Sequence, residues 1–330
     1  MRPNPVQRST VGAVQGFRIY EQMKTPLDAF PGYQQQRKCS KLGGMSRRSI
    51  VVTGASSGIG LATVRVLTSH GFHVFGMVRR QEDFHKLPSE CTPLLMDVTD
   101  EASIQRAFQE VSSVLGTETL AGLVNNAGIA VHGPLAYLPI DDFRRQLEVN
   151  LVAPVRLSQV FAPLLGADRS RTGPSGRIVN ISSVSGKLAS PFLGAYAASK
   201  FGLEAVSESM RRELLLHGID VIVVAPGAVV TPIWDKAEAT GIEQFRQTEY
   251  ATALERFGQI FLTGGRQGFP PERVGEVIHL ALTVARPKAR YAVVPHKFRG
   301  WILPKIVPAR MVDRYVGKLL GLTRTSGQGR

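Results

Sequence analysis

Seven short apolar runs are spread between residues 49 and 295: SIVVTG, FHVFGMV, TPLLMD, LAGLVNNAG, GRIVNISS, IDVIVVAPG and RYAVVP. Longer stretches with helical spacing separate them. A strand that is apolar along its whole length has no face to give to water, so it must be covered on both sides. Regular alternation of such strands with helices predicts a parallel sheet with helices on each face. The expected architecture is therefore α/β: one doubly wound domain with a seven-stranded parallel sheet over residues 45–296. A helical lid is expected at about 232–270 within it. No repeat of solenoid length is visible.

Length and composition agree with one large folded body. The chain has 330 residues, and 43% of them are hydrophobic, enough for a sizeable core. No run of eighteen or more uncharged apolar residues occurs, so no membrane-spanning helix is expected. Two cysteines, Cys39 and Cys91, make neither a disulfide framework nor a metal site. A reducing, cytoplasmic compartment is expected from that usage.

The formal charge of +14 suggests a nucleic-acid partner until its distribution is read. Residues 1–48 carry +7 and residues 286–330 carry +10, which leaves −3 for the body between them. Basic ends on a near-neutral body suit an anionic surface such as a membrane, or are simply solvated tails. No nucleic-acid partner is expected. Residues 1–44 lack helical or alternating periodicity and have no continuous apolar stretch. Pro3, Pro5, Pro26 and Pro31 argue against an amphipathic targeting helix there. This stretch is read as a disordered extension, one that could lie upstream of the natural start.

The first apolar run leads straight into Thr53-Gly54-Ala55-Ser56-Ser57-Gly58-Ile59-Gly60, and a helix follows. Glycines let the backbone turn tightly and approach a pyrophosphate, and the helix N-terminus supplies free amides with a favourable dipole. The spacing is Gly-x3-Gly-x-Gly rather than the commoner Gly-x-Gly-x2-Gly. Further on, Tyr196 and Lys200 stand one helical turn apart in AYAASKFG. Such a pair is either an ordinary helical neighbour contact or a phenol whose acidity is tuned by an ammonium.

These motifs, with NNAG at Asn125 to Gly128, Asn150 in LEVNLVAP, Ser183 thirteen residues before Tyr196, and PGAVVT at Pro226 to Thr231, resemble the short-chain dehydrogenase/reductase family. The resemblance covers residues 48–296 in the family's order and implies a Rossmann fold and an NAD(P)-dependent reaction. It is nearest to hydroxysteroid and retinol dehydrogenase-like members. It implies a cofactor site of Gly54, Ser56, Ser57, Gly58, Ile59, Gly60, Asn126, Ala127, Gly128, Tyr196 and Lys200. The loop of Pro226, Gly227, Val229 and Thr231 should cover the nicotinamide face, with the loop's free amides and the threonine hydroxyl as donors. Asp97, with Val98 beside it, should accept from the adenine amino group; capping of the next helix is its competing role.

The catalytic set implied is Asn150, Ser183, Tyr196 and Lys200. A free phenol with a pKa of about 10 is poorly matched to neutral pH, so Lys200 is expected to lower it. Tyr196 is then the general acid/base, Ser183 holds the substrate oxygen, and Asn150 orders a water in a proton relay. Lys200 should also bind the nicotinamide ribose hydroxyls. Substrate contacts are assigned to Ser183 and Tyr196, and His132, Leu188 and Phe192 flank the expected pocket. No metal is expected.

After the second strand Val78 stands where an NAD-binding acid is usual, and Arg79 and Arg80 follow. A guanidinium can bind a 2′-phosphate bidentately, which predicts NADP(H) in preference to NAD(H), with Arg79 as the main contact. Trp234, Phe245, Tyr250, Phe257 and Phe261 either wall a lipophilic substrate pocket or pack the lid and a dimer face. The C-terminal KFRGWILPKIVPARMVDRYVGKLLGL interleaves apolar and basic residues, which fits a segment lying on an anionic membrane or one packed on the enzyme's own body. The expected function is NADP(H)-preferring interconversion of a lipophilic alcohol and its ketone or aldehyde, steroid- or retinoid-like. The alternatives are a 3-oxoacyl reductase and a non-catalytic cofactor sensor. A homodimer or homotetramer is expected from the resemblance.

Overall fold

Every strand in the sheet begins within two residues of the start of an apolar run. The computed structural model describes residues 48–231, 243–294 and 307–323. The expected N-terminal extension and Trp234 lie outside these residues. The strands are β1 (Ser49–Thr53), β2 (His73–Val78), β3 (Cys91–Leu95), β4 (Gly122–Asn125), β5 (Arg177–Ile181), β6 (Asp220–Pro226) and β7 (Arg290–Val293). The α-helices are α1 (Gly58–Ser69), α2 (Glu101–Leu115), α3 (Ile140–Leu147), α4 (Ala153–Phe161), α5 (Gly194–Glu213), α6 (Ala251–Arg266), α7 (Pro271–Thr283) and α8 (Ala309–Leu320).

The sheet runs β3-β2-β1-β4-β5-β6-β7 with every pairing parallel. Alternation along β1 divides its side chains between two cores: Ile50 and Val52 pack with residues of α1 and α7, and Val51 with residues of α2 and α4. Both faces are thus covered, which is why the strands read as unbroken apolar runs. After β3 the chain returns across the sheet to place β4 on the other side of β1. At that reversal the loops leaving β1 and β4 meet at the strands' carboxyl ends, the place where ligands of open α/β sheets bind. The catalytic motifs all gather there.

Local signals set the helix boundaries. Asp100 caps α2 by accepting from the amides of Ala102 and Ser103 at 3.2 and 3.1 Å. Helices α1 and α7 cross closely because Gly275 has no side chain: a Cβ there would lie 3.1 Å from Val66 Cγ2 and 3.2 Å from the Ala62 carbonyl oxygen.

His279 on α7 stacks on His70 at the end of α1, with ring centroids 3.9 Å apart, and Phe72 meets its edge. Burial, with His70 as a second cause, pushes its pKa from 6.5 down to about 4. The carboxylate of Glu276, one turn earlier on α7, belongs to the same cluster. The native state keeps His279 neutral while the unfolded chain protonates it below about pH 6.5, so stability is present above that pH and is lost as pH falls towards 4. The loss should reach up to about 3 kcal/mol. Thermal melts from pH 7.5 to 4 should show Tm falling less steeply in His279→Leu, which isolates this group from the carboxylates that titrate lower.

Candidate active site

The glycine loop is built so tightly that its glycines are obligatory. Gly54 and Gly58 have φ of 64° and 54°, a region that favours glycine. A Cβ on Gly60 would stand 2.1 Å from the Gly54 carbonyl oxygen and 2.5 Å from Asn126 Nδ2. Thr53 Oγ1 accepts from the amides of Asn126 and Ala127 at 3.0 and 2.9 Å, and Asn126 Nδ2 donates to the carbonyls of Thr53 and Gly54 at 2.9 and 3.2 Å. The loops after β1 and β4 are therefore one unit. Asn126, expected to touch the cofactor, has its amide group committed to holding this unit. No side chain caps α1 at Ser57, so the amides of its first turn are open to an anion. A bare cradle with an uncapped helix start fits the pyrophosphate of a dinucleotide.

The two arginines after β2 differ. Arg80 contacts Glu82 at 2.9 Å and Asp83 at 3.3 Å, and the buried Asp83 also holds Lys86. Arg79 is exposed and forms no ion pair among the described residues. Glu82 and Asp83 thus neutralise Arg80 and leave Arg79 without an acidic partner among the described residues. Asp97 Oδ1 accepts from the amide and hydroxyl of Thr99 at 2.9 and 2.7 Å, ordering the turn after β3. The helix cap is Asp100, so capping is not the role of Asp97.

Ser183, Tyr196 and Lys200 come together below the end of β5. Ser183 follows β5, is 8% exposed, and caps a short turn by accepting from the Ser185 amide at 3.1 Å. Its hydroxyl meets that of Tyr196, on the first turn of α5. Lys200, one turn on and 6% exposed, places Nζ 5.7 Å from the centre of the Tyr196 ring and donates to the Ile181 carbonyl at 2.8 Å. Asn150 lies in a π-helical turn, Glu148–Val152, between α3 and α4. It accepts from the Ile129 amide at 2.9 Å and donates to the Ile129 carbonyl at 3.0 Å and Ser199 Oγ at 3.3 Å. The wider turn brings its side chain inward, where it ties the loop after β4 to α5.

One electrostatic expectation is corrected. Burial pushes the Tyr196 phenol up, and the hydrogen bond to Ser183 opposes this. Lys200 bonds a carbonyl and is itself pushed down to about 8 by burial, and the desolvation of the phenol outweighs the lowering expected of it. Glu204, which draws the Lys200 pKa back up, is a residue that sequence reasoning missed. It is 7% exposed and is clamped bidentately by Arg290 on β7 at 2.9–3.1 Å. Its place one turn after Lys200 was a legible signal, but its partner lies 86 residues away.

The loop after β6 is also corrected in part. The Gly227 amide donates to the Val293 carbonyl at 2.9 Å and the Val230 amide to the Phe269 carbonyl at 2.9 Å. Both are spent on pairing with neighbouring backbone, and Val229 is buried. Thr231 Oγ1 makes only a long bond, 3.5 Å, to the Val229 carbonyl.

Above Tyr196 lies an apolar roof. Phe192, Leu193, Phe245, Leu254, Phe257 and Leu320 form a buried cluster against which Tyr196, Tyr250 and Phe261 pack. Phe192 meets Tyr250 and Phe257 edge-on at 6.1 and 5.6 Å, and Phe257 stacks on Phe261 at 4.9 Å. Phe245, expected either in a pocket wall or packing the lid or a dimer face, is 2% exposed and sits against Gly133, which fits the packing role. Phe192 has φ of 64°, a strained conformation for a large residue and one held at the site by this packing.

Comparison with known proteins places this geometry. Residues 48–241 match the family model for short chain dehydrogenase. An NADPH-dependent 3-dehydrocapnine reductase of Ornithobacterium rhinotracheale is 37% identical over 84% of this chain and 100% of its own length. Retinol dehydrogenase 5 of Mus musculus is 34% identical over 80% of this chain and 86% of its own. The crystal structure of a short-chain dehydrogenase from Streptomyces avermitilis superimposes with a TM-score of 0.65 at 26% identity, covering 86% of this chain and all of that one.

Proposed function

Because the chain belongs to the short-chain dehydrogenase/reductase family and is an NAD(P)-dependent oxidoreductase, we propose that it uses NADP(H) to interconvert a lipophilic alcohol with its ketone or aldehyde. Steroid- or retinoid-like compounds are the substrate class. The observation that carries the reading is the Tyr196 hydroxyl beside that of Ser183, under an aromatic roof. A phenol held protonated by burial is suited to give its proton to a carbonyl oxygen.

The dinucleotide supplies the hydride. Ser183 donates a hydrogen bond to the carbonyl oxygen and holds it against Tyr196. Tyr196 passes its proton to that oxygen as the alcohol forms. Lys200, buried, bonded to the Ile181 carbonyl and drawn upward in pKa by the Glu204 charge, keeps positive charge near the phenolate left behind and returns a proton towards it. Asn150 fixes the loop after β4 to α5 and so sets the site's width. Ser56, Ser57, Ile59 and Gly128 would hold the dinucleotide along its length, with Asp97 and Val98 for its adenine.

The cofactor preference rests on Arg79, which is open where Arg80 is paired. Arg79→Glu is expected to cut kcat/KM for NADPH by roughly 10- to 100-fold, the worth of a charge-assisted hydrogen-bonded contact, and to leave NADH use unchanged or improved. The test is NADPH and NADH absorbance loss with steroid ketones, retinal, long-chain aldehydes and a 3-oxoacyl thioester. Turnover only of the thioester would replace the reading with that of a 3-oxoacyl reductase, and cofactor binding with no turnover would favour a sensor. Assembly as a homodimer or homotetramer belongs to the same proposal. Val152 and Phe201, large apolar side chains exposed on the segments that carry Asn150 and Tyr196, support it, and light scattering tests it.

A further inference from the structure

Helix α8 carries three distinct lanes. Arg310, Arg314 and Lys318 form one, Met311, Tyr315 and Leu319 the next, and Val312, Val316 and Leu320 the third, each repeating every fourth residue. The third lane is the one that packs: Leu320 is 4% exposed and belongs to the roof cluster, and Val316 packs against it beside Phe261 and Tyr196. The middle lane does not pack. Met311 is 58%, Tyr315 70% and Leu319 47% exposed, and Leu322 extends the strip one turn further. Asp313 is the single acid of the helix, and it lies 3.7 Å from the highly exposed Arg310.

An amphipathic helix packed on a globular body needs one apolar stripe, with polar residues outside. Helix α8 has a second apolar stripe, bordered on its outer edge by a row of cations. We infer that this face docks on an anionic lipid surface, with Met311, Tyr315 and Leu319 entering the headgroup boundary and Arg310, Arg314 and Lys318 meeting the phosphates. Charge decides between lipid and a second copy of the chain. Two such faces brought together would set their cationic rows against each other, whereas an anionic bilayer complements them. Residues 286–330 carry +10 in all, which reinforces the attraction. Among the described residues no helix is long and apolar enough to cross a membrane.

The other side of α8 gives this docking a use. Through Val316 and Leu320 the helix shares its apolar cluster with α6, the main helix of the roof above Tyr196. A surface-bound α8 therefore holds the roof at the bilayer, where a lipophilic carbonyl compound is concentrated. This consequence rests on the proposed substrate class; the docking itself does not.

Vesicle flotation of the full chain tests the docking without any turnover. Binding is expected to vesicles containing about one-third phosphatidylglycerol and to be much weaker with phosphatidylcholine alone or in about 0.5 M salt. Each basic side chain at such a surface is worth about fivefold, so Arg310→Gln/Arg314→Gln/Lys318→Gln should bind roughly 100-fold more weakly. Met311→Ser/Tyr315→Ser/Leu319→Ser should also lose binding. Because these six side chains are exposed, both variants should keep the parent's Tm and its affinity for NADPH. Equal flotation of parent and triple variants, or none with anionic vesicles, overturns the inference. A parent dimer that the serine variant converts to monomer, without lipid binding, assigns the face to a second copy and overturns it too. Lipid binding with no turnover of any lipophilic carbonyl leaves the docking intact and refutes the substrate class instead.

Discussion

Tyr196→Phe is expected to lower kcat for carbonyl reduction by about 1,000-fold, with NADPH affinity and Tm little changed. The substitution removes one hydroxyl and keeps the ring packed against the roof, so the lost group is the proton donor alone. The hydroxyl is partnered by Ser183 and desolvated. Ser183 loses one contact in the variant but keeps its bond from the Ser185 amide, which preserves the local turn. Single-turnover measurements separate the chemical step from binding. A kcat within tenfold of the parent would mean that another group delivers the proton, and Tyr196 would then be a packing residue of the roof. Ser183→Ala serves as the companion: a loss on a similar scale places both hydroxyls on the same oxygen.

Gly60→Val is expected to abolish dinucleotide binding and to lower Tm by about 5–10 °C. Even the first carbon of a side chain would lie 2.1 Å from the Gly54 carbonyl oxygen, a backbone atom that cannot swing away. Relief requires α1 to move from the loop after β1, and Asn126, which holds that loop through Thr53 and Gly54, must move with it. The cost of overpacking such a site is roughly 3 kcal/mol. Its effect on binding is larger, because the anion site is made of the very amides that shift. Gly264→Ala is the control: it lies in a helix with nothing within 4 Å of an added Cβ, and it should be neutral or slightly stabilising. NADPH fluorescence titration measures the binding and a thermal melt the stability. Retained affinity in Gly60→Val would show that the dinucleotide does not use this cradle.

The seven strands were legible because a strand buried on both faces has no polar positions to blur it. Each of the seven runs became a strand, and all pair in parallel. The glycine loop, Ser183, Tyr196 and Lys200 were legible for a related reason: each is tied to its neighbours by short, fixed spacing on one loop or one turn of helix. The preference for Arg79 over Arg80 was legible from position, and folding supplies its reason by burying Asp83 where it pairs with Arg80. The sequence missed what depends on distant partners. Glu204 reads as a solvent-facing acid on a helix until Arg290, from the last strand, closes on it.

The sequence by itself determined the fold class and the residues that could do chemistry, since periodicity and short spacing are properties of neighbouring positions. Tertiary structure alone decided the acidity of Tyr196 and Lys200. Desolvation depends on everything packed around a group, and it raised the phenol's pKa where the lysine was expected to lower it. It also decided which face of α8 joined the roof and which was left outside. Both stripes are apolar in the sequence, and only the position of α6 distinguishes them.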